Sequence, residues 1–235
     1  PALLDRFGRA IARLRHALAD FDHAAIHRDF YWDLATGRRI VGGLRPLVGD
    51  RDTASAIDIL VARFDRYAAP HLAGLPRQAI HGDLNDHNVL VTGDDISGIV
   101  DFGDMVHGWA VGDLAIAAAY VALGSDDPLG SIATLVRAYH AEHPLADDEL
   151  GALFGLIALR LCTSACIADH QRRQRPGDEY LSASQDAVRR LLPVLAGIPF
   201  GLAEAVLRSA SGAPALPAAD RVSTWLRAHG TAFAP

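Results

Sequence analysis

HGDLNDHNVLV, His81 to Val91, sets two histidines, two aspartates and two asparagines in eight residues and then turns apolar. Val89, Leu90 and Val91 predict a short buried strand. TGDD, Thr92 to Asp95, is turn chemistry, and Ile96, Ile99 and Val100 predict the return strand. With the turn centred near Asp94 and Asp95, residues whose numbers sum to about 189 face each other across the hairpin. Asn88 and Asp101 form such a pair, an amide carbonyl beside a carboxylate. Both are hard oxygen ligands, which suits Mg²⁺, an ion that takes few protein ligands when phosphates supply the rest.

Outward from the hairpin the chain reads as helices. Leu3, Leu4, Phe7, Ile11, Leu14 and Leu18 share one helical face. Residues 30–36 predict a helix capped by Asp29, and residues 53–69 a second capped by Asp52 or Thr53. Further helices are expected over 111–123 (nearly all apolar, hence buried), 131–140, 147–174, 182–195 and 202–209. RPGD, Arg175 to Asp178, stops the long one. The expected architecture is therefore α+β, mainly α-helical, with one small central β-hairpin. Residues 1–210 form the main domain, 211–220 a Pro/Ala linker, and 221–235 a terminal amphipathic helix carrying Val222, Trp225 and Leu226.

The 235 residues are half hydrophobic, with a formal charge of −6. That balance points to neither nucleic acid nor an anionic membrane as partner. No apolar run approaches the ~20 residues of a membrane span, and no signal peptide is visible, so a cytoplasmic location is expected. All 22 basic residues are arginine; the chain has no lysine. Cys162 and Cys166, four apart in an apolar segment, read as buried free thiols.

His81, Asp83 and Asn88 spell H-x-D-x-x-x-x-N, and Asp101, Phe102 and Gly103 spell D-F-G. These are the catalytic-loop and metal-loop signatures of protein kinases, in order and joined by a hairpin. Asp83 would accept the proton of a substrate hydroxyl, while Asn88 and Asp101 would hold Mg²⁺. As simple turn caps, Asp83, Asn85 and Asp86 would leave the Asn88/Asp101 pairing unexplained. HRD itself, the protein-kinase spelling, occurs at His27 to Asp29, but Leu34 stands five residues beyond its aspartate and cannot bind a metal.

HGDLNDHNVLV, GIVDFGD and VGDLA (Val111 to Ala115) resemble the aminoglycoside phosphotransferase and choline kinase superfamily, closest to hydroxylysine-kinase-like proteins. HRDFYWDL and STWLRAHGTAFAP are similar to pieces of members fused to class III aminotransferases. The resemblance implies a protein-kinase-like C-terminal lobe, with Asp83 as catalytic base and Asn88 and Asp101 as metal ligands. His81 would brace the loop, and Asp113 would anchor it, or cap a helix. It implies Mg²⁺ and ATP or GTP, and a small hydroxylated amine as substrate, hydroxylysine-like or aminoglycoside-like. Asp86 and Asp104 are candidates to face its ammonium group, with Trp109 and Tyr180 as a cation–π wall. Asp169, Asp178 and Glu179 read as solvated surface carboxylates. The family's N-terminal lobe, a five-stranded sheet with a phosphate-binding lysine, has no counterpart in this reading. The chain thus reads as the C-terminal lobe of a longer polypeptide, with other domains as possible partners, or as a family member that has lost the N-terminal lobe. Two rival readings are a non-catalytic pseudokinase-like docking module and a metallohydrolase using His81, Asp83, Asp86, His87 and His107.

Overall fold

The computed structural model describes residues 2–174 and 179–229. Its elements in chain order are α1 (Ala2–Ala17), α2 (Leu34–Leu44), α3 (Arg51–Arg63), β1 (Arg77–Ile80), β2 (Val89–Thr92), β3 (Asp95–Ile99) and β4 (Val106–Trp109). Then follow α4 (Gly112–Leu123), α5 (Pro128–Glu142), α6 (Asp147–Gln174), α7 (Glu179–Gly197), α8 (Phe200–Ala210) and α9 (Ala219–His229). The mainly helical α+β architecture is as the sequence predicts.

α6 is the axis of the molecule and packs on α2, α3, α4, α7 and α8. Asp147, Asp148 and Glu149 fill its first turn, complementing the helix dipole. Glu149 reaches back to the Ala146 N–H at 2.9 Å and also accepts from buried Arg15 at 2.6 Å. By length and composition α6 suffices to cross a bilayer, but its apolar span is buried by the surrounding helices. α4 is apolar on every side and buried accordingly. Ile11, Leu60, Leu114, Leu135 and Leu153 sit in the continuous core between these helices.

Several boundaries differ from expectation. α2 starts at Leu34, because Asp33, not Asp29, accepts the Ala35 N–H as N-cap. Asp29 instead pairs with Arg39 at 2.6 Å. α3 is capped by Asp50, whose carboxylate takes the Thr53 N–H at 2.8 Å; Asp52 and Thr53 lie inside the helix. Its winding changes at Phe64–Ala68 to a π-turn and at Ala69–Gly74 to a 3₁₀ turn, which accommodates Pro70. Asp169 is buried rather than solvated, held by Arg172 and by Arg189 at 2.5 Å. RPGD and Asp178 lie outside the described residues, and the side chains of Glu179, Tyr180 and Leu226 are likewise outside them.

Among the described residues the β structure is two two-stranded ribbons rather than one hairpin. β2 pairs antiparallel with β3, Val89 opposite Ile99, with an irregularity between Leu90 and Val91. β1 pairs antiparallel with β4, Ile80 opposite Val106 and Arg77 opposite Trp109. One ribbon is nested inside the other, so segments 81–87 and 101–105 are the facing middle, without ladder pairing, of one long interrupted hairpin. β2 is not buried: Leu90 is 49% exposed, because a lone ribbon has no second layer on its outer face.

Candidate active site

Both loops are pinned at each end by a ladder, so the residues between them face each other. The Val100 N–H donates to the Asn88 carbonyl at 3.0 Å, which sets Asn88 opposite Val100 and next to Asp101. The expected Asn88/Asp101 juxtaposition is thus displaced by one residue, because the turn centres on Gly93 and Asp94 and β2–β3 carries its irregularity.

His81 is fully buried. Its Nε2–H donates to the Val100 carbonyl at 2.9 Å, and its Nδ1 accepts the Asp83 N–H at 3.2 Å. Both ring nitrogens are consumed, one donating and one accepting, so the imidazole ties one loop to the other. His87 is exposed, and His107 stacks on His27 at 4.6 Å. The histidines of the metallohydrolase reading are therefore dispersed, and no cluster of three or more His, Cys, Asp or Glu exists among the described residues.

Asp113 lies in the first turn of α4, 2% exposed. Its Oδ2 accepts the His81 N–H and its Oδ1 the Gly82 N–H, each at 2.9 Å. It is an anchor of the loop, not the helix cap; Val111 occupies that position. Burial pushes its carboxyl above the ordinary range, opposed by the two backbone donors. Gly82 has φ +84°, and a Cβ there would lie 2.6 Å from the Asp104 carbonyl. The loop crossing needs glycine on both counts.

The Asp83 carboxylate is held on both oxygens. Asn85 donates to Oδ2 at 2.9 Å and Asn88 to Oδ2 at 3.1 Å. Arg160 of α6 donates to Oδ1 at 2.8 Å. The sequence reading missed Arg160; its place in the middle of an apolar helix, between Leu159 and Leu161, is the one local signal. Asn88 donates also to the Asp83 carbonyl at 2.8 Å, so its amide nitrogen is fully engaged and its Oδ1 remains as an acceptor.

Asp101 has φ 61°, ψ 68°, the one non-glycine at positive φ among the described residues. Aspartate tolerates this left-handed geometry, and such outliers gather at functional sites. Its exposed carboxylate caps the 102–104 turn through a 3.4 Å contact from the Gly103 N–H. Arg28, from the HRD at 27–29, donates to the Gly103 carbonyl at 2.9 Å and braces the same turn. The Asn88 amide oxygen, without a hydrogen-bond donor among the described residues, and the exposed carboxylate of Asp101 fit a hard divalent cation. Asp104 is half-buried nearby; burial and then the Asp83 charge raise its carboxyl, against Arg160 and Arg28. Asp86 is exposed at the start of the 86–88 turn. Trp109 lies in β4 opposite Arg77; the aromatics beside the site include Phe102, whose ring is 4.7 Å from that of His81, and Trp32 and Tyr120 near Arg160.

Curated relatives include hydroxylysine kinase of Bos taurus, 30% identical over 195 residues, 77% of this chain and 52% of that protein. Homoserine kinase of Methylobacillus flagellatus is 29% identical over 153 residues, 64% of this chain and 46% of that protein. The chain spans about half the length of these relatives. Among solved structures, an amicoumacin kinase in complex with AMP-PNP, Ca²⁺ and Ami superposes with TM-score 0.56 at 16% identity, over 85% of this chain and 61% of that one. A microcompartment-associated aminopropanol kinase gives TM-score 0.53 at 21% identity, over 88% and 63%. The model described as "Phosphotransferase enzyme family" matches residues 1–151, which include both loops and the α4 anchor. With the loops, their anchor and this match in agreement, the chain belongs to the phosphotransferase enzyme family.

Proposed function

We propose that this chain carries the acceptor-activating and metal-binding lobe of a nucleotide-dependent kinase for small hydroxylated amines. The observation that carries the reading is the Asp83 carboxylate, clamped on both oxygens beside the unengaged Asn88 Oδ1 and the Asp101 carboxylate. Asp83 takes the proton of the acceptor hydroxyl as its oxygen forms the bond to the γ-phosphorus of ATP or GTP. The bond from that phosphorus to the β–γ bridging oxygen breaks, and its electron pair leaves with the nucleoside diphosphate. Asn88 and Asp101 would hold Mg²⁺, which when bound neutralises charge on the phosphates. His81 and Asp113 fix the loop that carries the base. Asp104 and Asp86 supply negative charge for the acceptor's ammonium group. The relatives' names, hydroxylysine, homoserine and aminopropanol kinases, support an amino alcohol as the acceptor.

The test uses the longest natural polypeptide containing this segment, with Mg²⁺, ATP or GTP and a panel including hydroxylysine and homoserine. Turnover should depend on the acceptor and fall by at least about 10³-fold in Asp83→Asn. Asp101→Ala should abolish Mg²⁺-dependent nucleotide binding. A polypeptide that neither turns over nor binds nucleotide with metal would instead be a docking module.

A further inference from the structure

We infer that Arg160 is the positioning residue of Asp83, held in place by Trp32 and Tyr120, and that it leaves Oδ1 as the proton-accepting atom. The inference deepens the phosphotransferase reading above and rests on it.

Arg160 is 3% exposed, in the interior stretch of α6. Its guanidinium lies 4.7 Å over the Trp32 ring and 5.7 Å from that of Tyr120. Nη1 donates to the Trp32 carbonyl at 3.2 Å, and Nη2 donates to Asp83 Oδ1 at 2.8 Å and to the Tyr120 hydroxyl at 3.4 Å. Nε is buried with no hydrogen-bond partner among the described residues. A buried arginine with an orphaned donor is a poor device for stability; an apolar side chain would pack this helix position better. What the arrangement achieves is orientation. A planar guanidinium lying over the Trp32 ring and tied to the Trp32 carbonyl and the Tyr120 hydroxyl is held in one place, and with Asn85 and Asn88 on Oδ2 it fixes where Oδ1 points.

An ionised carboxylate has about four acceptor directions, two on each oxygen. Asn85 and Asn88 occupy both on Oδ2, and Arg160 occupies one on Oδ1. One direction remains, on Oδ1. The acceptor hydroxyl has that single place to dock, and its proton goes there.

The test is again made in the longest natural polypeptide. Arg160→Gln should lower kcat roughly 10–100-fold with the nucleotide KM changed by less than about 2-fold, because orientation and not nucleotide binding is lost. Arg160→Lys, which keeps charge but not the fork, should recover part of the rate. Millimolar guanidinium should restore Arg160→Gly saturably, and urea should not. Trp32→Leu, at a partly exposed position, should lower kcat without loss of fold, and serves if the arginine variants unfold. A folded Arg160→Gln within about 2-fold of the wild-type kcat, or a folded Arg160→Gly that guanidinium leaves inactive, overturns the inference. Active wild type with insensitive Arg160 variants removes this inference alone; inactive wild type removes the phosphotransferase reading and this with it.

Discussion

Replacing Asp113 with asparagine keeps the shape of the side chain and removes one acceptor. In the native molecule two carboxylate oxygens take the N–H groups of His81 and Gly82, each at 2.9 Å, in a site 2% exposed. Asparagine offers one oxygen and turns an NH₂ toward the other N–H, so one buried donor is orphaned. That costs about 1–3 kcal/mol. The surviving bond loses its charge assistance, roughly another 1 kcal/mol. Neutralising a buried carboxylate returns part of this, so the expected net loss is about 1–3 kcal/mol. Urea denaturation should show the midpoint falling while the slope stays constant. In the full polypeptide kcat should fall further than stability implies, because a shift of about 1 Å in the loop that carries Asp83 can cost 10²-fold. A loss below about 0.5 kcal/mol together with unchanged turnover would refute the anchor argument.

Arg28→Ala removes an exposed donor from the Gly103 carbonyl, a hydrogen bond of about 0.5–1.5 kcal/mol, and should weaken Mg²⁺-dependent nucleotide binding several-fold with kcat little changed. Calorimetric titration of the full polypeptide checks it, and unchanged affinity would detach Arg28 from the metal loop. Cys162 and Cys166 are buried and their thiols are pushed up by desolvation, Cys166 to about 12, so neither should react with a disulfide reagent near pH 8 until the protein unfolds. Because the folded state holds these protons longer than the unfolded one, stability should fall as the pH rises past about 9, by up to ~1.4 kcal/mol per pH unit for each thiol. Labelling of either thiol in the native state would contradict their burial.

What was legible in the sequence is what local chemistry specifies. The turn residues between Val91 and Ile96 give the hairpin, and the spacing of His81, Asp83, Asn88 and Asp101 gives the two facing loops. Helix existence followed from apolar periodicity, but caps did not: Asp29 and Asp33 are both plausible caps for α2, and only packing chooses between them. The outer ribbon was missed because Val106–Trp109 has four residues, one of them glycine, and its partner β1 lies some thirty residues away. Its strand character comes from pairing, not propensity. Arg160 stands out locally as a charge in an apolar helix, but its partner does not: 77 positions separate it from Asp83, and no local pattern links α6 to the loop.

Gly82 stands where protein-kinase spelling has arginine. At φ +84° and with the Asp104 carbonyl 2.6 Å from any Cβ, no L-side chain fits without moving the 101–105 segment as well. The two spellings are therefore separate solutions rather than neighbours on a smooth path. A saturation library at this codon should return glycine alone under selection, and an arginine allele should survive only when compensating changes arrive together in both loops.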